Sequence, residues 1–415
     1  MPRDFIFASL DIGSTRIRVV MAQISPEGDT LNILGAVDVE SVGVTRGVVT
    51  NIDEATSAIS HALDEGEKMI GRPIESVWVG ISGGSIISQV SKGVVAIART
   101  SGEIREDDLT RAQQAAEMVA APPNYENLHT LVQSYAVDNQ LGVKDPVGMT
   151  GIRLEAEATL IMALASQIKK VTKCVYRAGV SIDDIVLGPL AATESVLNPK
   201  QRELGVVLID IGGPTTKMVV FEEGNFIHAA IIPVGSVHIT NDLAIGLRTS
   251  LDVAEQVKKD YGTALSAAIP KKDMIDLSEF DELETESVSR KHVAEIIEAR
   301  TEEILDKVDA ELRKVKRSGR LPAGAVLVGG GAELPHLVDA AKKQLKLPVS
   351  LGYPREIETT VDKINDLSFA TALGLIYWAL GSGETGSHSM FKVPGFLKKM
   401  GNVSIFKKIG GMLRM

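Results

Sequence analysis

A single cysteine, Cys174, is all the thiol chemistry this chain has, so an intramolecular disulfide is excluded and a reducing compartment fits. Cys174 lies in a helical pattern beside Val171 and Val175, which marks a packed thiol rather than a nucleophile. The seven histidines show no metal-ligand spacing. No apolar run is long enough to span a bilayer. Met1-Pro2-Arg3-Asp4 leads directly into a strand pattern, without the charged and then apolar profile of a secretory signal. A net charge of −10 speaks against nucleic-acid binding through the body of the protein. One stretch lacks acids altogether. From Thr385 to Met415 the only charged side chains are Lys392, Lys398, Lys399, Lys407, Lys408 and Arg414. That reversal marks the end of the chain as a separate functional element.

What is present is ordinary globular composition, 44% hydrophobic and 24% charged, over 415 residues, enough for two or three domains. Two copies of one hairpin stand out: Leu10-Asp11-Ile12-Gly13-Ser14-Thr15 and Ile209-Asp210-Ile211-Gly212-Gly213-Pro214-Thr215-Thr216. Each sits between two apolar runs and reads as strand, tight turn, strand. A third strand follows Glu27-Gly28-Asp29 in one half and Glu223-Gly224-Asn225 in the other, and helical patterns come next at Ile52–Met69 and Ile239–Leu247. One Asp-Ile-Gly turn closes many ordinary hairpins; two in equivalent contexts point to facing domains that share a ligand. Glycine lets backbone N–H groups approach phosphate oxygens, and Ser14, Thr15, Thr215 and Thr216 add hydroxyl donors. Asp11 and Asp210, at strand ends, suit the water shell of Mg2+. The expected ligand is a nucleoside triphosphate with its metal ion. A third glycine turn, Gly329-Gly330-Gly331-Ala332, ends the apolar run Ala325–Val328 and precedes a helical pattern at Leu334–Leu345. Close backbone approach there suits adenine or ribose, although Gly-Gly-Gly is also a common strand-to-helix connection.

Residues 86–165 break the repeat. They read as an inserted α+β module with a strand at Ser88–Ile97, a helix at Arg105–Val119 and strands at Leu128–Asp138 and Ile152–Ala163. The stretch 265–315 is acidic and reads as helical. At the far end, Gly381–Ser389 has linker composition. Beyond it, Ile405, Phe406, Ile409, Met412 and Leu413 share one helical arc, flanked by Lys407, Lys408 and Arg414. An apolar stripe with basic margins suits the headgroup layer of an anionic membrane. Gly410 and Gly411 weaken the isolated helix, which is expected to form on binding. A helix docking on the protein's own core or on a partner is the competing reading.

The chain resembles the FtsA family, bacterial actin relatives that tether FtsZ filaments to the membrane. The hairpins and the Gly329-Gly330-Gly331 turn are common to the actin and Hsp70 superfamily. Gln133-Ser134-Tyr135-Ala136-Val137-Asp138, Gly142-Val143-Lys144-Asp145-Pro146-Val147-Gly148 and Gly151-Ile152-Arg153-Leu154 are similar to motifs of the FtsA 1C subdomain. Arg202-Glu203-Leu204-Gly205-Val206 and the amphipathic terminus fit as well. The resemblance implies an α/β, actin-like (ribonuclease H-like) two-domain ATPase fold with an inserted α+β 1C subdomain and a C-terminal amphipathic helix. Domain 1A would comprise 1–85, 166–204 and 366–383. The 1C insert would be 86–165, and domain 2 would be 205–365, with 2B at about 240–315. A linker at 384–395 and a membrane helix at 396–415 complete the expected layout.

Position by position, the resemblance implies that Gly13, Ser14 and Thr15 contact ATP phosphates, with Arg18 where a phosphate-binding Lys often stands. Gly212, Gly213, Thr215 and Thr216 would form the second phosphate turn, and Gly235 would lie near the nucleotide. Glu255 and Lys258 would touch ribose and base, near Gly329, Gly330, Gly331 and Ala332. Asp11 and Asp210 would order Mg2+ through water, and any catalytic role falls to them. Arg300 and Glu303, in Glu298-Ala299-Arg300-Thr301-Glu302-Glu303, would capture the FtsZ C-terminal peptide; spacing alone would make them an intrahelical pair. Other implied partners are a second copy in a head-to-tail filament, anionic lipids, and later division proteins through the insert, with no nucleic acid. The place is the cytoplasmic face of the membrane at the septum. Pro214 and Lys217 depart from the superfamily pattern, where a third glycine and an Asp or Glu are usual. ATP is therefore expected to bind well and to be hydrolysed slowly or hardly at all. A sugar or acetate kinase of the same fold would need a general base that the sequence does not offer. The type IV pilus protein PilM lacks this kind of tail, and an Hsp70-type chaperone needs a further β-rich domain.

Overall fold

The computed structural model describes residues 6–381 except 25–30, 85, 282–285, 355–358 and 360. The linker and the basic tail therefore lie outside the described residues, including Ile405, Phe406, Lys407, Lys408, Ile409, Met412, Leu413 and Arg414.

The first lobe opens with β1 (Ile6–Ile12), β2 (Arg16–Ile24) and β3 (Leu31–Glu40), followed by the short ribbon of β4 (Val44–Thr45) and β5 (Val48–Val49). Then come α1 (Ile52–Ile70) and β6 (Ser76–Ile81). Helix α1 starts where the Asn51 side chain accepts the Asp53 and Glu54 N–H groups, and stops at Gly71, whose φ of 67° is left-handed. Its Ala55, Ile59, Ala62 and Leu63 face is buried against the sheet.

The insert holds β7 (Ile86–Ala96), α2 (Glu106–Glu117), β8 (Tyr125–Val137), β9 (Gln140–Val143) and β10 (Arg153–Leu164), which are the four expected elements and one further short strand, β9. Its sheet runs β7-β10-β8-β9. The chain returns through α3 (Ala165–Arg177), β11 (Ser181–Leu187), α4 (Gly188–Val196) and α5 (Pro199–Leu204). Cys174 on α3 is fully buried, as its apolar neighbours indicated.

The second lobe repeats the first. It comprises β12 (Val206–Ile211), β13 (Thr216–Glu222), β14 (Asn225–Ile232), α6 (Ser236–Leu247), α7 (Leu251–Tyr261), β15 (Met274–Asp276), β16 (Ser287–Ser289) and α8 (Arg290–Lys314). After these come β17 (Gly324–Val328), α9 (Leu337–Leu345) and β18 (Val349–Leu351), and α10 (Ala370–Gly381) then crosses back. The first sheet runs β11-β6-β1-β2-β3 and the second β14-β13-β12-β17-β18, the same topology read from opposite edges. In both, two parallel strands flank an antiparallel three-stranded meander.

Helix α10 is apolar on nearly every side, as a helix buried between layers must be. Leu373 and Ile376 pack on Phe7, Val20 and Ile33 of the first sheet, while Leu375 and Trp378 join Val206, Leu208 and Phe221 of the second lobe. With α4 it forms the layer on which the lobes meet. A Cβ on Gly374 would run into the Ala191 carbonyl, so the two helices cross at backbone contact.

Two elements differ from expectation. Within 265–315 only Arg290–Lys314 is α-helical. The part before it carries short 3-10 turns and the β15–β16 ribbon, because Pro270 interrupts the helical ladder and Asp276 accepts from Ser278 in a local turn. The helix expected from Leu334 begins at Leu337, after a 3-10 turn at Gly330–Glu333, since Pro335 and the left-handed His336 delay it.

Candidate functional site

The two lobes enclose a cleft of about 820 Å³, and both hairpins open onto it. The first turn closes with Gly13 N–H donating to Arg16 O, the second with Gly212 N–H donating to Thr215 O. They nearly touch: a Cβ on Gly213 would lie 2.7 Å from Thr15 Cγ2. Ser14 Oγ accepts the Gly47 N–H at 2.6 Å, which leaves its proton to offer to a ligand.

The acidic residues occupy equivalent registers. Asp11 pairs across the ladder with Arg18, and Asp210 with Lys217. Lys217 Nζ lies 2.8 Å from Asp210 Oδ2, both side chains nearly buried. Burial alone would depress the Lys217 pKa, but Asp210 and Asp11 outweigh it and hold the ammonium above its ordinary value. Asp11 is pushed upward by burial, against the pull of Lys217 and Arg18. Its Oδ1 is buried without a hydrogen-bond partner. Asp11 itself lines the cleft, so a small turn of its carboxylate would present this orphaned acceptor to a water on a bound cation. Among the described residues no three His, Cys, Asp or Glu side chains cluster as direct metal ligands. The residues present therefore fit Mg2+ held through water at Asp11, whereas one oxygen of Asp210 is already committed to Lys217.

Glu255 and Lys258, on α7, form a compact unit with Thr240 of α6. Lys258 Nζ donates to Glu255 Oε2 at 2.6 Å and to Thr240 Oγ1 at 2.8 Å, while Thr240 donates to the same carboxylate oxygen. Burial lowers the Lys258 pKa despite Glu255, a cost usually met at functional positions. Gly329, Gly330 and Gly331 also line the cleft, with Ile239 and Leu334. Gly329 has a φ of 85° and a ψ of 159°, and a Cβ there would run into Asp210 Oδ1. Only glycine serves at this spot.

Not every expected residue reaches the cleft. Thr216 is fully buried and its hydroxyl donates to Val234 O. Ala332 belongs to the core of the second lobe. Gly235 sits behind the second turn, where a Cβ would strike the Gly212 and Gly213 carbonyls; those carbonyls accept the Ser236 and Val237 N–H groups and cap α6. These three shape the cleft without lining it. Arg300 lies elsewhere, on α8, where Nε and Nη2 donate to Asp242 of α6 at 2.6 and 2.9 Å and Nη1 to Glu303.

Several lining groups escaped notice in the sequence. Arg16 Nε and Nη2 clamp Asp38 at 3.0 Å, and Arg18, already expected at the cleft, lies 3.5 Å from the same carboxylate. Charged residues inside otherwise apolar strands were the available signal. Glu333 and Asp366 share a hydrogen bond at the cleft wall, and partial burial together with Asp366 pushes Glu333 up to about 7. Below about pH 7 the pair carries one negative charge, and above it two. An anionic ligand should therefore bind more weakly as pH rises through 7, and Glu333→Gln should flatten that profile in titrations between about pH 6 and pH 8.

A family model described as "Cell division protein FtsA" matches residues 207–374, and one described as "SHS2 domain inserted in FTSA" matches 83–162. Over 381 residues the chain is 36% identical to Cell division protein FtsA of Pseudomonas aeruginosa, covering 92% of this chain and 91% of that one. Identity to the Bacillus subtilis protein of the same name is 35% over 395 residues, covering 95% and 88%. For Escherichia coli K12 it is 30% over 394 residues, covering 93% of both. Among solved structures, the PilM-PilN type IV pilus biogenesis complex aligns with a TM-score of 0.62 at 15% identity, over 90% of this chain and 98% of that one. MreB5 of Spiroplasma citri bound to ADP aligns with a TM-score of 0.54 at 13% identity, over 92% and 100%. Likeness at such identities establishes the fold, which is actin-like with an SHS2 insert.

Proposed function

The chain belongs to the FtsA family of cell-division proteins, and from that premise we propose that it binds ATP between its lobes, assembles head to tail and anchors FtsZ filaments to the membrane. The observation that carries the proposal is the cleft itself: two register-matched hairpins, each with one carboxylate, opening onto a single space large enough for a nucleotide. The ADP in the MreB5 relative supports an adenine nucleotide there.

In this reading Gly13, Ser14, Thr15, Gly212, Gly213 and Thr215 hold the phosphates, with Arg18 as counter-charge. Glu255 and Lys258 take the ribose, and Gly329, Gly330 and Gly331 back the base. Asp11 would hold Mg2+ through water, and the ion would supply charge stabilisation for the terminal phosphate. Asp210, tied to Lys217, is poorly placed to accept a proton from an attacking water. Hydrolysis is therefore slow; phosphate release at the rate of an Hsp70-type ATPase would contradict this. ATP closes the cleft and favours a heterologous contact that propagates rather than closing into a ring. The domain layout follows the family: 1A at 1–85, 166–204 and 366–383, the insert at 86–165 receiving later division proteins, domain 2 at 205–365, and a membrane helix at 396–415. The protein acts at the cytoplasmic face of the septal membrane.

The FtsZ peptide is assigned to α8. Arg300 is presented there by Asp242, with side chains 24% and 28% exposed, and an incoming carboxylate would compete for the same guanidinium. Pull-down with the FtsZ C-terminal peptide tests this. Arg300→Glu should cut retention by about tenfold or more, since it turns an attractive contact into repulsion. Equal retention by wild type and variant would remove Arg300 from the interface, and no retention by either would remove the anchoring role.

A further inference from the structure

We propose that Lys217 is a built-in counter-ion that takes over much of the divalent cation's work, so that the cleft holds a nucleoside triphosphate with little dependence on Mg2+. The inference rests on the nucleotide reading of the cleft and deepens it. Lys217 is anchored from below by the β12–β13 ladder, directly opposite Asp210, with its Nζ 2.8 Å from Asp210 Oδ2. Its side chain is only 11% exposed, and that of Asp210 only 8%, so neither is well screened by solvent. Even so, Lys217 lines the cleft. An ammonium has three protons, and Asp210 takes one of them.

The first lobe offers a looser counterpart, because Arg18 sits 3.5 Å from Asp38 and does not bridge Asp11. Arg18 stands opposite Asp11 in the same register and also lines the cleft. Each lobe thus presents one acid and one base, and the four charges cancel. An acid at position 217 would leave that quartet two charges negative, facing a polyphosphate that is itself strongly negative. Such a site needs a divalent cation between the two. A neutral quartet does not. The orphaned Asp11 Oδ1 still offers an acceptor to a metal-bound water, so a metal can enter. Its contribution to holding the phosphates is what Lys217 reduces.

Calorimetric titration of the full chain with a non-hydrolysable ATP analogue, in Mg2+ and then in EDTA, reads this without turnover. Wild type should lose less than about threefold in affinity on removing the metal, whereas Lys217→Asp should lose about tenfold or more and recover it with Mg2+. A wild-type loss of about tenfold or more overturns the inference while leaving the nucleotide site intact. Absence of binding by wild type in both buffers overturns the inference and the nucleotide reading together. Should Lys217→Asp fail to fold, Lys217→Met carries the same comparison. Removing the charge alone should make metal removal costlier than in wild type, and equal costs would overturn the proposal.

Discussion

Gly329→Ala should lower nucleotide affinity by about a hundredfold, while Gly330→Ala, one residue on, should change it by less than about threefold. The two glycines sit side by side in one turn and line one cleft, but their surroundings differ sharply. At Gly329 the backbone adopts a φ of 85° and a ψ of 159°, a region almost closed to side chains. That strain costs about 1–3 kcal/mol, and the new Cβ would also press on Asp210 Oδ1 and lie 2.7 Å from Ile211 O. Asp210 cannot retreat freely, because Lys217 holds its other oxygen. Relief must come from shifting the second hairpin or the glycine turn, and both move the ligand's supports. At Gly330 the nearest atom to an added Cβ is Ser368 Cβ at 4.0 Å. A domain stability of about 5–15 kcal/mol tolerates the strain, so both variants should melt cooperatively. Equal effects in the pair, measured by titration, would show that Asp210 is not the sensitive point of this cleft.

The same contrast explains what the sequence could and could not disclose. The hairpins were legible because an apolar run, a glycine turn and a second apolar run leave few alternatives, and their duplication suggested facing lobes. The insert was legible because its strands and its single helix carry distinct periods. Which turn residues face the ligand was not legible. Thr215 and Thr216 are adjacent and chemically alike, yet strand alternation sends Thr216 into the core toward Val234 O and leaves Thr215 at the cleft. Gly235 and Ala332 match family positions but act from behind, by letting neighbouring backbone approach. Arg300 and Glu303 read as a helix-face pair, and so they are; the third member, Asp242, lies 58 residues away in sequence on another helix. Contacts of that kind depend on how α6 crosses α8, which no local pattern encodes. The Glu333–Asp366 pair is non-local as well, joining two segments brought together only when α10 returns to the first lobe.

Removing residues 396–415 should release the protein from anionic vesicles almost completely. Among the described residues no helix is long and apolar enough to cross a membrane. The tail supplies both terms that interfacial binding needs. Ile405, Phe406, Ile409, Met412 and Leu413 provide apolar surface, while Lys407, Lys408 and Arg414 meet anionic headgroups. At about 1 kcal/mol per cation near a charged surface, those three account for about a hundredfold in affinity. Lys398 and Lys399 lie in the same segment, so replacing anionic by zwitterionic lipid should weaken binding by about that factor at least and leave a residual apolar term. In the proposed filament one tail would be a weak, reversible anchor, but many would lie on one face, and the second and later contacts would become intramolecular. Vesicle co-sedimentation should accordingly rise steeply once nucleotide promotes assembly, more steeply than the protein concentration itself. The truncated chain should stay in the supernatant under the same conditions and still bind nucleotide, because the cleft ends with the α10 layer. Sedimentation of the truncated chain with vesicles at wild-type levels would place the membrane contact on the folded lobes, and the tail would lose its assigned task.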